Sequence, residues 1–341
     1  MTTPTMLTPD IIIPSNKKNL VFDATMLSSL QGCGRFVDLR FNHNLISKRG
    51  KSNSFEVGSV VHKVFETFYA HIAKGFKRPL AIDNGMLAGQ LYIAGCKTCS
   101  SELLTKEVIQ MVQGKNGTFE CGHKLDEYPG VKNTPPDSDK KYTGWKWALS
   151  TCEQYFEFYK NDFWVPLETE VVKGEVLYED DNIRILWKAK LDLTVDTNQG
   201  IYPVDHKTSK QRRDTLSLSN QFMGQAILMR SNGAIKNNVG FQKTLPPEEK
   251  FTREMMSYSH DRLFEWQSEI LPTWAYKYLE YLETGYWTPN FSHCDGKFGK
   301  CVYHKICESE RSGRESVINQ DFIVGPVWDI EPEELVSEDS E

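Results

Sequence analysis

The sequence predicts an α/β protein: a central β-sheet, antiparallel where it begins, flanked by helices and carrying a helical insertion. Three observations predict it. Residues 165–209 read as three consecutive strands, VPLETEVVKGEVLYED, IRILWKAKLDLTVD and GIYPVDHKTS, divided by turn residues at Asp180-Asp181-Asn182 and Thr197-Asn198-Gln199-Gly200. Ahead of them, FEVGSVVHKVFETFYAHIAKG (55–75) places Val61, Val64, Phe65, Phe68 and Ile72 on one helical face. Behind them, SLSNQFMGQAILMRSNG (217–233) gives Leu218, Phe222, Ala226 and Met229 a helical period.

The remaining elements follow in order. Residues 1–20 predict an irregular arm. A short helix over 23–41 takes Asp23 or Thr25 as its cap and is interrupted at Gly32-Cys33-Gly34. The 55–75 helix stops at Gly75. A helical stretch from about 83 to 112, then loops, form an insertion at about 79–141. WKWALSTCEQYFEFYKN (145–161) is an aromatic-rich helix, with Cys152 in its core face. After the three strands, the 217–233 helix ends at Gly233, VGFQKTL (239–245) is a further strand, and a long helix over about 258–284 leads into a cysteine-rich loop. One domain over 21–310 is expected, followed by an extension over 311–341. Its last nineteen residues hold seven acids and no Lys or Arg, the composition of a disordered tail.

With 341 residues, 39% of them apolar, and with eight Trp and eighteen Phe, the chain can bury a substantial core. No apolar run is long enough to cross a membrane, and MTTPTMLTPDIIIPSNKKN is not a secretory leader, so a cytoplasmic protein with no membrane partner is expected. A net charge of −6 argues against a general coating of nucleic-acid contacts. It leaves room for a local basic groove, and Lys207, Lys210, Arg212 and Arg213 form one. Eight cysteines in such a chain predict ligands or plain thiols rather than disulfides.

Two constellations carry chemistry. Asp192 lies on the second strand of the meander and Asp205-His206-Lys207 on the third. Strand period two puts Asp205 and Lys207 on one face. Two carboxylates on neighbouring strands can grip a hard divalent cation, with the His206 backbone carbonyl as a third oxygen ligand. Lys207 beside them can orient a water and offset charge on a reacting phosphoryl group. An isolated strand Asp or Lys is more often a solvated surface residue. Here, however, Leu191, Leu193 and Val204 flank the acids, and a buried pair without function is costly. The second constellation is Cys294-x6-Cys301-x5-Cys307 in the Gly-rich HCDGKFGKCVYHKIC. Three local thiols need a fourth ligand to hold a 4Fe–4S cluster or zinc. His293 and His304 adjoin them as ligands for zinc, and reduced thiols without a metal are the third reading. Separately, Cys96, Cys99, Cys121 and His123 have the residue types of a small zinc knuckle, against the alternative of ordinary thiols.

These residues resemble the PD-(D/E)XK nuclease superfamily, in particular its RecB-like branch, which includes CRISPR-associated exonucleases. Gly58-Ser-Val-Val-His62 matches the family's Gly-x-x-x-His, whose histidine is a metal ligand. Asp192 matches its first sheet aspartate, Asp205 its second acid, Lys207 its catalytic lysine, and Gln221 in QFMGQ its helical glutamine, with Gln225 as the alternative. Some members carry a supporting acid on the first strand, where Glu170 lies. Some hold a 4Fe–4S cluster with one cysteine before the core and three after it, which matches Cys33 to the triad.

The resemblance implies a restriction-endonuclease-like core with a mixed sheet and Mg²⁺ or Mn²⁺ at His62, Asp192 and Asp205. The implied activity is DNA hydrolysis, exonucleolytic on single strands or duplex ends, in recombination, repair or phage DNA processing, inside a bacterial or phage-infected cell. Lys210, Arg212 and Arg213 would hold phosphates, and Phe36, Tyr202 or Trp187 would stack bases. No Walker-type phosphate loop occurs, so a helicase, recombinase or replication protein would be a separate partner. The competing readings are a structure- or site-specific endonuclease on the same fold and a noncatalytic iron–sulfur or zinc DNA-binding protein.

Overall fold

The computed structural model describes residues 17–48, 53–93, 139–209, 218–241, 245–296 and 299–327. Cys96, Cys99, Cys121, His123, Lys210, Arg212, Arg213 and the acidic residues from 329 onward lie outside that set.

The architecture is a mixed α/β fold whose six-stranded sheet is flanked by helices. The strands are β1 (Lys18–Phe22), β3 (Val165–Glu179), β4 (Ile183–Thr197), β5 (Gly200–Ser209), β6 (Gly233–Gly240) and β7 (Phe251–Ser257), while the short β2 (Leu45–Ser47) lies outside this sheet. Their order is β1-β4-β5-β6-β7, with β3 along the other edge of β4. Pairing is parallel for β1/β4 and β5/β6 and antiparallel for β3/β4, β4/β5 and β6/β7. The expected meander is therefore present as β3-β4-β5.

Register creates the feature that positions the site. On one edge of β4, residues 183–187 pair with β1 and residues 193–197 pair with β5. Neither ladder covers residues 188–192. The ladder with β5 ends at Leu193↔Val204, after which Val204–Ser209 run parallel to β6. The sheet thus forks between β4 and β5, at Asp192 and Asp205.

Helices pack on both faces. Helices α1 (Ala24–Gly32) and α2 (Gly34–Val37) break at Cys33, and Asp23 caps α1 by accepting from the Met26 N–H at 2.7 Å. Helix α3 (Asn53–Ala73) buries Val57, Val60, Val61, Val64, Phe65, Phe68 and Tyr69 against β3–β5. Helices α4 (Arg78–Ile93) and α5 (Asp139–Phe158) close over it, with Ala81, Ala88 and Cys152 fully buried. Residues 78–93 therefore pack into the core. On the opposite side, α6 (Asn220–Leu228) and the long helical run over 260–284 cover Trp187 and Ile185.

Several expectations need correction. Residues 18–22 are a strand, not an arm, because their alternating apolar side chains Leu20 and Phe22 sink into the core. The 217–233 helix is shorter, Asn220–Leu228, and Gly233 opens β6 instead of ending the helix. A Cβ there would sit 2.3 Å from the Met256 carbonyl oxygen, so strand packing demands the glycine. The strand expected at 239–245 is the end of β6, Gly233–Gly240. Strand β7 escaped notice altogether. The 258–284 helix begins at His260 and contains a π turn at Trp266–Ile270, which buries Trp266 edge-on against Trp187. Past residue 310, Arg314–Asp321 is helical and Phe322–Val324 pairs with Leu45–Ser47, enclosing Leu39, Tyr303 and Ile306 in a small third core.

Candidate metal centre and cysteine lobe

Two glycines let helices reach the fork. A Cβ on Gly58 would lie 2.9 Å from Thr208 Oγ1, so α3 passes over β5 at a distance only glycine permits. One turn on, His62 meets the fork with Nδ1 3.5 Å from Asp192 Oδ2. A Cβ on Gly224 would lie 2.3 Å from Trp187 Nε1, so α6 rests directly on the sheet. That contact brings in Gln221 from the other side.

At the fork the polar groups interlock. The His206 N–H donates to Asp192 Oδ2 at 2.8 Å, where the β4/β5 ladder no longer runs. Gln221 Nε2 donates to Asp205 Oδ1 at 2.5 Å, and Lys207 Nζ donates to Gln221 Oε1 at 2.9 Å. Lys207 Nζ also stands 2.8 Å from Asp205 Oδ2 as an ion pair outside hydrogen-bond alignment, so that buried oxygen keeps lone pairs for a cation. Asp205, Lys207 and Gln221 form a closed ring of contacts.

Glu170 joins from β3. It lies between Thr169↔Leu193 and Val171↔Leu191, and its φ of 56° is left-handed, a conformation that costs a non-glycine residue about 1–3 kcal/mol. Ligand atoms of His62, Glu170 and Asp192 all lie within 4.8 Å of one another, the one such group of three among the described residues, and it can coordinate a metal ion. Lys190 Nζ neutralises Glu170 at 2.5 Å. Burial, then the nearby Asp205 charge, push the Asp192 carboxyl up to about 7, with the Glu170 charge adding to the rise; His62 and the His206 N–H oppose them. A bound cation would offset this crowding of negative charge.

Behind the fork lies a buried polar relay. The His206 ring stacks on Tyr69 with centroids 5.8 Å apart and contacts Asn237 Nδ2 through Nδ1 at 2.8 Å. Asn237 donates to Tyr155 Oη at 3.0 Å, and Arg253 also donates to that oxygen while gripping Asp162 with two bonds of 2.6 and 2.7 Å. Burial holds the His206 imidazole well below its ordinary range, and so neutral.

The cysteines form a separate lobe. Cys33, at the α1/α2 break, accepts from the Asn290 N–H at 3.3 Å, and Asn290 Nδ2 donates to the Gly32 carbonyl at 2.9 Å. Cys294 and Cys301 flank a two-strand turn, joined by Cys301 N–H to Cys294 O at 2.7 Å, and Cys307 sits on the helical turn His304–Glu308. All four are half-buried and surround one end of a cavity of about 1130 Å³ whose other end is lined by Lys207, Gln221 and Gln225. Mutual repulsion among the thiols contributes to raising Cys294 and Cys301, with burial the leading cause.

The structure thus brings together His62, Asp192, Asp205, Lys207 and Gln221, and separately Cys33, Cys294, Cys301 and Cys307. Gln225 is buried with an unpartnered Oε1 and makes no bond to Lys207 or Asp205. Trp187 and Tyr202 are core residues and have no face for a base, while Phe36 packs edge-on against Tyr303. Sequence reasoning missed Lys190 and gave Glu170 only a supporting part. The period-two run Lys188-x-Lys190-x-Asp192 was the available signal for the first.

Among the described residues no helix is long and apolar enough to cross a membrane. No known family's sequence profile and no curated protein matches the chain. One solved structure, described as the crystal structure of SSO0001, aligns with a TM-score of 0.25 and 14% identity, covering 44% of this chain and 69% of that one. So loose a superposition carries no argument about fold or function.

Proposed function

We propose that this protein is a Mg²⁺- or Mn²⁺-dependent deoxyribonuclease with a restriction-endonuclease-like core of the PD-(D/E)XK kind, acting on single-stranded DNA or duplex ends inside the cell. The observation that carries this reading is the fork in the sheet. There Asp192, Asp205 and His62 converge, and Lys207 is tied to Asp205 and Gln221. His62, Asp192 and Asp205 would hold the ion, with Glu170 as a further oxygen donor. The oxygen-rich donor set and the crowded charge at Asp192 suit a hard divalent cation. When bound, such an ion supplies Lewis acidity to the phosphoryl oxygens and lowers the pKa of a coordinated water.

The chain's own residues do the rest. Lys207 places its ammonium where the attacking water and the developing negative charge meet. Gln221 fixes that ammonium by accepting one of its hydrogens, while its amide holds Asp205 in place. Burial of Leu193, Val204 and Trp187 around the fork lowers the local dielectric and strengthens these terms.

For the cysteine lobe, four thiols from both ends of the chain suit a 4Fe–4S cluster that clamps residue 33 to the 294–307 turn. Zinc, with His293 or His304 beside the thiols, is the alternative occupant of this lobe. The separate partner would then be a protein that presents DNA ends.

The test is digestion of end-labelled linear and covalently closed circular single-stranded DNA with Mg²⁺, Mn²⁺ or EDTA, comparing wild type with Lys207→Ala. Metal-dependent loss of the linear substrate alone, absent in Lys207→Ala, is expected. Cutting of the circle points to the endonuclease, and equal loss with both proteins, or none with either, overturns the assignment.

A further inference from the structure

Three neighbouring strands set His206, Asn237 and Arg253 side by side. His206 of β5 is in register with Asn237 of β6, and Asn237 with Arg253 of β7. The residues two places away on the same face, Val204, Ile235, Val239 and Phe251, belong to the apolar core. The three thus form a polar row through apolar surroundings. Asn237 joins it, since Nδ2 donates to His206 Nδ1 at 2.8 Å and to Tyr155 Oη at 3.0 Å. The far end is fixed, because Arg253 grips Asp162 and its guanidinium carbon lies 3.3 Å from the centre of the Trp164 ring.

Asn237 is fully buried, and its Oδ1 has no partner among the described residues. A buried oxygen left unpaired is destabilising, and an apolar side chain of the same shape would avoid that penalty. Packing alone therefore gives no reason for an amide at this position. The other end of the row gives one.

His206 touches two of the three groups that can hold an ion together at the fork. Its N–H donates to Asp192 Oδ2 at 2.8 Å, and its ring meets the His62 ring edge-on with centroids 5.9 Å apart. One contact is made by the main chain and the other by the side chain of the same residue. A turn of residue 206 would therefore move His62 and Asp192 relative to each other. The Tyr69 ring, 12° from parallel, fixes the plane of the imidazole, and the bond from Asn237 fixes its rotation within that plane.

We propose that Asn237 is a positioning residue for the metal centre. By holding the His206 imidazole from the next strand, it keeps His62 and Asp192 at the separation at which both bind one divalent cation. This rests on the reading of the fork as a metal centre and deepens it. Residues that orient metal ligands contribute about 10–100-fold to metal affinity or activity. Asn237 acts one contact further out, so the lower end of that range applies.

The experiment measures Mn²⁺ binding to the full chain by electron paramagnetic resonance, without DNA, and assigns to the fork the binding that Asp192→Asn removes. It compares wild type, Asn237→Leu, His206→Leu, the double variant and Tyr155→Phe, which loses only the hydroxyl behind Asn237. Binding on the order of 10-fold weaker is expected in Asn237→Leu and at least as weak in His206→Leu. The double variant should be no weaker than His206→Leu, because Asn237 acts through that side chain. Tyr155→Phe should show a smaller loss of the same kind. A thermal midpoint lowered in Asn237→Leu with Mn²⁺ affinity unchanged would make Asn237 a purely structural residue and overturn the proposal. So would losses that multiply in the double variant. If Asn237→Leu does not fold, Tyr155→Phe decides, and an unchanged affinity there overturns the proposal. Cleavage of DNA is assayed separately. If the affinities follow this pattern and wild type cuts no DNA, the positioning role stands and the hydrolytic reading fails. If wild type cuts DNA and the affinities do not move, the reverse holds.

Discussion

The metal centre and the cysteine lobe face one another across a single cavity, yet they are built in opposite ways. The metal centre stands on the central sheet, and its groups already hold one another: Lys207 to Gln221, Gln221 to Asp205, the His206 N–H to Asp192. Behind it the relay from His206 to Arg253 runs largely inside the protein. The cysteine lobe stands on short turns, two-residue strands and a single helical turn, over a third core of only a few side chains. Its thiols do little for one another except repel. Preorganisation comes from the fold in the first region and, on the proposed reading, from a bound group in the second. Losing a ligand at the fork should therefore cost activity and spare stability, and losing one in the lobe should cost stability first.

The sharpest break of this contrast is Asp192→Asn. Metal-dependent cleavage should fall by on the order of 10³-fold, while the thermal midpoint holds or rises, since a crowded buried charge has been removed. A large fall in midpoint would mean that the fork is a structural site after all. Cys301→Ser is the counterpart. It should abolish any absorbance near 400 nm of an anaerobic preparation and lower the midpoint by roughly 10 °C, by analogy with opening a long covalent loop. An unchanged midpoint would make these thiols bystanders.

Gln221→Ala comes next. It leaves Asp205 and Lys207 in place but unties them, and a 10–100-fold fall in kcat with little change in KM is expected. A pH measurement gives the smallest effect. The Asp192 carboxyl is raised from its ordinary value to about 7. Its contribution to stability is thus fully present below about pH 4 and is lost as pH rises through about 7. A cation restores it by replacing the proton. Mn²⁺ should therefore raise the thermal midpoint by more at pH 8 than at pH 6, read by scanning fluorimetry, and Asp192→Asn should erase the difference.

Much of the fork was legible in the sequence because its residues sit in short local patterns: Gly58 four before His62, Asp205 two before Lys207, Gln221 early in a helix. The meander was legible for the same reason, since strand alternation and turn residues are local. Strand β6 was not. It runs through Lys236, Asn237 and Asn238, polar residues buried in the sheet and partnered by Glu254, the His206 and Tyr155 side chains, and Thr252, partners that no local pattern announces. The fork itself is a matter of register between distant strands, and Glu170 reaches it through a left-handed backbone that a glutamate rarely adopts. The two glycines that let α3 and α6 approach, Gly58 and Gly224, stood in plain view. Their purpose appears only when Thr208 and Trp187 are seen beneath them.

The most direct test is to locate manganese by its anomalous scattering in crystals soaked with Mn²⁺. The account predicts a peak at the fork, within coordination distance of His62, Asp192 and Asp205, and its loss in Asp192→Asn crystals. A peak confined to the cysteine lobe, or none at the fork under conditions that saturate binding in solution, would contradict it.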